Sequence, residues 1–320
     1  MRALPTVVFM LWAQVRGGDL PGPLPLFPPD HWWNVDISSA PVDPSSSSFI
    51  NYIGATRKLH PDFGGDSSDP SSPIYGMPYI VVSASQPKVT VAFDYDDESD
   101  HVGYPIPEQA KTEQKWIEGG LAGNDPRADG DRHMLIVDRD NRILYELYAL
   151  RWTGRWEAGS GAVFPLDSNA RRPDGWTSAD AAGLEILPGL IRYDEAFGSA
   201  PIRHAFRFTV RNSNGYVFPG SHRAGSTTGA LPMGARLRLK ASKDIASFPD
   251  PVRRIFQAMK TYGLIVADNG TDMYISGTYD TRWDNDVLNP AFALLSASDF
   301  EVVQLGWQPA ARGRSRAIRH

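Results

Sequence analysis

The sequence predicts a mainly β fold, a β-sandwich or jelly-roll-like single domain with long loops and one packed helix near its C-terminal end. Several short segments alternate apolar and polar residues with a period of two, the pattern of strands that bury one face. The 320 residues include 29 glycines and 26 prolines, which suits many short strands joined by turns. No repeat or linker divides the chain, so we expect one domain over residues 19–310.

The first half contains a predicted helix and a predicted strand that carries two acids. A serine run precedes the apolar residues of segment 49–53 and predicts a short helix that ends at Gly54. Alternation over residues 89–96 predicts a strand with Asp94 and Asp96 on its polar face. The rise of a strand would separate these two residues by about 6.5–7 Å. We therefore expect two neighbouring carboxylates on an exposed sheet face.

The clearest hairpin joins residues 133–138 to residues 143–150. Its turn reads Arg-Asp-Asn-Arg, and Asp and Asn tolerate the backbone geometry of tight turns. In the register that this turn sets, His133, Glu146 and Tyr148 lie on one face, because side chains alternate between the faces of a strand.

The second half contains the one predicted packed helix, at residues 250–262. Proline follows Asp250 in its first turn, apolar residues recur at helical spacing, and Gly263 follows its end. Residues 264–267 and 273–276 flank an Asp-Asn-Gly turn and predict a second hairpin. Further short strands are predicted at residues 78–82, 202–210, 216–218, 236–240 and 299–305.

The N-terminal end of the chain predicts export. Met1-Arg2 and the apolar stretch that follows resemble a secretory signal peptide over residues 1–18. Residues 311–320 form a basic tail with few anchors. No other segment approaches the roughly 18 consecutive apolar residues that a membrane-spanning helix requires. The sequence therefore predicts a secreted or periplasmic protein without a membrane span.

Composition excludes several functional classes. A net charge of -5 and a pI near 5.8 give no basic surface for nucleic acid. The absence of cysteine excludes disulfides, thiolate zinc sites and cysteine nucleophiles. The sequence also lacks a phosphate-binding glycine loop, a Gly-x-Ser-x-Gly elbow and a His-Glu-x-x-His motif.

The middle of the chain is a long polar loop, residues 167–195. It has no sustained apolar period, but it contains aromatic residues and a compact apolar run at 186–191. Irregular segments of this length inside a domain are usually functional or disordered, and the apolar content argues against disorder. We therefore expect an ordered loop that forms one wall of a binding groove.

Carboxylates are the main candidates for catalysis. Glycoside hydrolysis uses one protonated and one ionised carboxyl group, about 5–9.5 Å apart, on the two sides of the scissile bond. The candidate catalytic residues are Asp94, Asp96, Glu146, Asp174 and Asp180. A strand carboxylate that faces a loop carboxylate would suit this chemistry, which needs no cofactor.

Aromatic and basic side chains provide candidates for sugar binding. Indole and phenol rings can stack on sugar rings, and polar neighbours can bind hydroxyl groups. The candidate substrate-binding residues are Trp32, Trp33, Tyr148, Arg172 and Trp176. The expected partner is a polysaccharide or oligosaccharide, which a non-catalytic binding protein could also recognise.

A divalent metal site is the other alternative. His133 and His204 are predicted on strands and His222 in a loop, so three imidazoles from separate elements could converge, with Glu146 as a fourth ligand. A histidine on a strand is more often a hydrogen-bonded wall residue. The sequence leaves the metal-dependent enzyme and the binding protein open beside the paired-carboxylate enzyme.

Four strings of the sequence carry a resemblance to other proteins. They are RPDGWTSADAAGL from Arg172, ILPGLIRYDE from Ile186, GDRHMLIVD from Gly130 and ADNGTDMYISG from Ala267. These strings resemble a group of exported bacterial and fungal proteins usually labelled hypothetical, over residues 32–303. The resemblance implies export and transfers no activity or catalytic residue.

Overall fold

The computed structural model describes residues 18–63, 76–113, 116–119 and 130–309. The fold is mainly β, as predicted, with sheets that curl into a half-barrel. The strands are β1 His60–Asp62, β2 Tyr79–Val82, β3 Val91–Phe93, β4 Met134–Asp138, β5 Ile143–Tyr148, β6 Arg151–Trp152, β7 Trp156–Ala158, β8 Ser160–Pro165, β9 Phe206–Val210, β10 Arg236–Leu239, β11 Leu264–Asn269, β12 Tyr274–Ser276 and β13 Phe300–Val302. The helices are α1 Ser46–Ile53, α2 Tyr193–Ala196, α3 Asp250–Thr261 and α4 Asn285–Phe292.

The strands form three sheets. The largest has the order β1-β12-β9-β11-β10-β13, the second β2-β4-β5-β8 and the third β3-β7-β6. Pairing is mixed, because β9 lies parallel to β11 and β2 lies parallel to β4, whereas β4, β5 and β8 pair antiparallel. Within the described residues, no helix is long and apolar enough to cross a membrane. The expected signal peptide and basic tail lie outside the described residues, apart from Gly18.

The predicted packed helix is confirmed as α3. Val252, Ile255, Phe256 and Met259 are buried and belong to the core of the six-stranded sheet. The chain then turns at Gly263, which has a φ of 77°. A Cβ atom there would lie 2.3 Å from the backbone oxygen of Leu237, so only glycine fits.

The first predicted hairpin is confirmed as β4 and β5. Asp138 pairs with Ile143, and Leu135 lies opposite Glu146. β4 is buried along its whole length because β2 and β5 cover its edges and both of its faces meet a core. Glu146 lies on the face that packs against the central loop, residues 167–195.

The second predicted hairpin is wrong. β11 and β12 do not pair, because β9 lies between them, parallel to β11 and antiparallel to β12. The turn wraps around the end of β9: the Gly270 N–H donates to the Val210 oxygen over 2.9 Å, and the Arg211 N–H donates to Asp272 Oδ1 over 2.7 Å. β9, with Phe206 and Phe208 fully buried, takes the central position.

The predicted strand at residues 89–96 is shorter than expected. Only β3 forms, and Asp96 begins a 3-10 turn, Asp96–Glu98. Consecutive polar residues favour such a turn, and the Ser99 hydroxyl closes it by donating to the Tyr95 oxygen over 2.7 Å. Asp94 and Asp96 therefore do not form a pair on a strand face.

The central loop is held by a buried carboxyl group. Ile186, Leu187 and Leu190 are fully buried against the β4–β5 face. Glu146 Oε1 accepts N–H groups from Ile186 over 3.0 Å and from Leu187 over 2.9 Å. Burial raises the pKa of Glu146 to about 8, although these N–H groups act in the opposite direction. The anchor thus satisfies two backbone donors that water cannot reach.

We expect Glu146→Ala to lower the free energy of unfolding by about 2–4 kcal/mol, because it leaves two buried backbone N–H groups without an acceptor. Glu146→Gln is the matched control, since one amide oxygen at the position of Oε1 can accept both groups. Urea denaturation measures both variants. Equal stability of Glu146→Ala and the wild type would contradict the anchoring role.

Candidate functional site

A pocket of about 380 Å³ lies where the central loop meets the end of β11. We call it the central pocket. The loop contributes residues 177–181, and β11 contributes its last two residues, Asp268 and Asn269. The remaining lining residues are Tyr95, Glu98, Asp131, Tyr148, Ser160, His222 and Ala224. Its volume falls within the usual range of roughly 300–1,000 Å³ for small-molecule sites.

The floor of the central pocket contains two carboxylates that share one guanidinium. Arg207 on β9 is 3% exposed and donates Nε and Nη2 to the two oxygens of Asp180 over 2.7 and 2.8 Å. Its Nη2 also donates to Asp268 Oδ2 over 3.1 Å, and its Nη1 to the Ser276 hydroxyl over 2.7 Å. One positive charge therefore faces two negative charges.

Burial and this charge imbalance explain the raised pKa of Asp268. Burial and the charge of Asp180 raise the pKa of Asp268 to about 6, although Arg207 and His133 lower it. Asp180 binds Arg207 in bidentate geometry through two N–H groups. Arg207 therefore stabilises the ionised form of Asp268, which it contacts through one N–H group, less than that of Asp180. Asp131, which is exposed and lines the same pocket, adds a further negative charge that raises the pKa of Asp268.

Three of the predicted site residues line the central pocket. They are Asp180, Tyr148 and His222, and Tyr148 follows Glu146 by two residues on β5, as the predicted face requires. Glu146 lies in the anchor of the loop and is not exposed to the pocket. The central loop is therefore a wall of a pocket, as expected, through residues 177–181.

The other three candidate catalytic acids do not line the central pocket. The side chain of Asp94 is 64% exposed and pairs with Arg151, and that of Asp96 is 75% exposed and lies near His101. Asp174 is 63% exposed and pairs with Arg171. These acids form solvated surface ion pairs, which contribute little to stability.

The predicted sugar-stacking tryptophans are mostly structural. Trp32 and Trp33 are 5% and 0% exposed, and both indole N–H groups donate to Glu185 Oε2 over 3.0 Å. Trp176 is half-buried beside the guanidinium of Arg172, whose carbon lies 5.3 Å from the ring centroid. Arg172 is itself bound to Asp100 over 2.6 Å. None of these four candidates lines the central pocket.

The three candidate metal-binding histidines do not share a site. His133 lies against Glu118, His204 against Glu195 and His222 against the Ala181 oxygen. Glu146, the fourth proposed ligand, accepts backbone N–H groups instead. In the part of the chain that the structure describes, no three histidine or acidic side chains are grouped to hold a metal ion.

Sequence reasoning missed Asp268, Asp131, Glu98 and Arg207. The sequence pattern places Asp268 in a hairpin turn, but the structure places it near the end of β11, which runs parallel to β9. Ligands commonly bind beyond the carboxyl ends of parallel strands, so an acid directly after the apolar run 264–267 was the available signal.

A second pocket of about 630 Å³ lies beside α2. Its charged lining residues largely bind each other, because Glu195 pairs with both Arg192 and His204. The central pocket is the better candidate site because it places Asp268, whose pKa is raised to about 6, among three other acidic residues.

Comparisons with known proteins add no relative. No protein-family profile, curated protein or solved structure matches this chain.

We expect Asp268→Asn to stabilise the protein at pH 8 by about 1–3 kcal/mol. Between pH 4 and 6 the folded protein binds the Asp268 proton more tightly than the unfolded chain, so stability falls as pH rises through this window. Asparagine carries no such penalty. Urea denaturation of both proteins at pH 5 and pH 8 tests this, and a stability difference that does not grow with pH would contradict it.

Proposed function

We propose that the protein is an exported carbohydrate-active enzyme, similar to glycoside hydrolases, that cleaves a polysaccharide or oligosaccharide in the central pocket. The observation that carries the proposal is the raised pKa of Asp268, about 6, in a pocket that Asp131 also lines. Glycoside hydrolysis requires one protonated carboxyl group, and the raised pKa suits Asp268 to that role. The predicted signal peptide supports export.

Asp268 is the proposed general acid. It donates its proton to the glycosidic oxygen as the bond between that oxygen and the anomeric carbon breaks. Asp131 is the proposed ionised partner, either as the base that takes a proton from the attacking water or as the nucleophile. Asp180 does not fill either role, because its side chain is fully buried and Arg207 binds both of its oxygens, whereas the Asp268 side chain is 24% exposed.

The rest of the pocket suits a sugar. Tyr95 and Tyr148 offer aromatic rings for the apolar faces of sugar rings, and Asn269 offers an amide oxygen for hydroxyls. Tyr95 is 53% exposed, so its ring is accessible to a chain that extends out of the pocket.

The charges of the pocket favour a neutral sugar. Four of its lining residues are acidic, namely Glu98, Asp131, Asp180 and Asp268. Arg207 donates to Asp180, Asp268 and Ser276, so its guanidinium is occupied. Among the described lining residues, only His222 could carry a positive charge. A uronate or sulfated sugar would meet repulsion here.

Asp268→Asn should lower kcat/KM on a neutral glycan by about 10²–10⁴-fold, the usual contribution of a general acid. Asp131→Asn should cause a comparable loss, because it removes the proposed ionised partner. Asp286→Asn, an exposed acid in the first turn of α4, is the matched control and should retain activity. Release of reducing ends from a panel of neutral and acidic glycans measures all four proteins.

A full wild-type rate in Asp268→Asn would overturn the assignment of the acid. Glycan binding without release of reducing ends, measured on an array, would favour the non-catalytic binding protein. A metal present in stoichiometric amount and lost in a His133 variant would favour the metal-dependent alternative.

The rate should depend on pH through Asp268. A general acid must be protonated to act, so kcat/KM should fall as pH rises above about 6, the pKa of Asp268. A pH profile measured with the best neutral substrate tests this. A rate that stays constant from pH 5 to pH 8 would contradict it.

A further inference from the structure

Next to the central pocket lies a buried ion pair that the proposed chemistry does not use. The His133 side chain is 1% exposed, and its Nδ1 lies 2.5 Å from Glu118 Oε2. The backbones of the two residues are also joined, because the Glu118 N–H donates to the His133 oxygen over 2.9 Å. The His133 N–H donates to Glu118 Oε2 over 3.2 Å. The imidazole is therefore fixed in position.

The other ring nitrogen of His133 reaches the wall of the pocket. Its Nε2 lies 3.0 Å from the backbone oxygen of Ala179. Both ring nitrogens thus face oxygen acceptors, a carboxylate and a carbonyl, so both must carry hydrogen. Burial lowers the pKa of His133, but the charge of Glu118 and its hydrogen bond outweigh burial and raise this pKa to about 9.

Ala179 connects this ion pair to the carboxyl cluster. It lines the central pocket and precedes Asp180, the bidentate partner of Arg207. The loop here has no regular secondary structure, and side-chain hydrogen bonds hold it. Examples are the Thr177 hydroxyl, which donates to the Asp180 oxygen over 3.1 Å, and the Ser178 hydroxyl, which donates to the Leu184 oxygen over 2.5 Å. The hydrogen bond between His133 and the Ala179 oxygen holds the loop at one more position, directly beside Asp180.

Charged groups from several elements affect the pKa values of both Asp268 and His133. Asp268 is affected by Asp180 from the loop, by Arg207 from β9, by Asp131 and by His133. His133 is affected by Glu118, Arg207 and Asp131. The positive charge of His133 therefore acts on Asp268 and opposes the effect of Asp180 and Asp131.

We propose that His133, held by Glu118, is a positioning residue of the central pocket: it fixes the Ala179 carbonyl beside Asp180 and places one positive charge next to the carboxyl groups of Asp180 and Asp268. Only the kinetic consequence of this inference rests on the proposed function. The electrostatic consequence concerns Asp268 in the free protein and can be measured without a substrate.

The test is a carbon-13 NMR titration of the Asp268 carboxyl group, assigned by its loss in Asp268→Asn. His133→Gln keeps an N–H donor for the Ala179 oxygen but removes the charge. We expect the titration midpoint of Asp268 to move upward by about 0.5–1 pH unit, the size expected for one charge near a partly buried site.

The matched control is His204→Gln. His204 is also a buried histidine that lies 3.0 Å from a carboxylate, Glu195, but it lines the other pocket and is not among the charges that act on Asp268. It should leave the midpoint of Asp268 unchanged. An unchanged midpoint in His133→Gln would overturn the proposal, as would an equal shift in both variants.

Kinetics then separates this inference from the proposed function. If the wild type cleaves a glycan, the basic limb of the pH profile should move upward in His133→Gln by the same amount as the midpoint. A merely structural histidine would lower stability without moving that limb. If the wild type cleaves none, the proposed function fails, and the NMR titration still decides the role of His133.

Discussion

The arrangement of the central pocket depends on one buried arginine. Arg207 projects from the central strand of the largest sheet and binds the central loop through Asp180, the end of β11 through Asp268, and β12 through Ser276. A buried guanidinium without partners would be very costly, so the three partners and the cation require one another. The ion cluster thereby joins the sheet to the loop. It leaves the carboxyl group of Asp268 with less positive charge beside it than that of Asp180.

The central loop contains little regular secondary structure, a 3-10 turn at Leu187–Gly189 and the start of α2, and polar anchors order the rest. Glu146 accepts backbone N–H groups at residues 186 and 187, and Glu185 accepts both indole N–H groups of Trp32 and Trp33. These carboxyl groups are almost fully buried, and each accepts hydrogen bonds from fixed donors. A loop that buries its acids in this way keeps a defined shape, which a binding pocket needs.

Local patterns predicted the local elements well. The hairpin of β4 and β5 and helix α3 are each predicted by an apolar period and a turn signal within one short segment. The turn of the hairpin also predicted the register that places Glu146 on the face toward the loop. The predicted hairpin of β11 and β12 is wrong because β9, which is about 60 residues earlier in the chain, lies between these strands. Nothing local in an Asp-Asn-Gly turn indicates such an insertion.

The site was predictable only in part, for a related reason. The sequence pointed to the central loop and to Asp180 and Tyr148, because a long ordered polar segment is unusual. It could not separate Asp268 from solvated acids such as Asp94 and Asp174, since burial and a shared guanidinium arise only in the folded chain. The adjacent tryptophans suggested a stacking surface, but their indoles face a buried glutamate.

The most direct test of the account is the titration midpoint of Asp268 in the wild type and in Asp180→Asn, measured by carbon-13 NMR. If two carboxylates share one guanidinium, the wild-type midpoint should lie near 6. It should fall in Asp180→Asn, because Arg207 then has a single anionic partner. A wild-type midpoint near the ordinary aspartate value of about 4, or one that does not change in Asp180→Asn, would contradict the account.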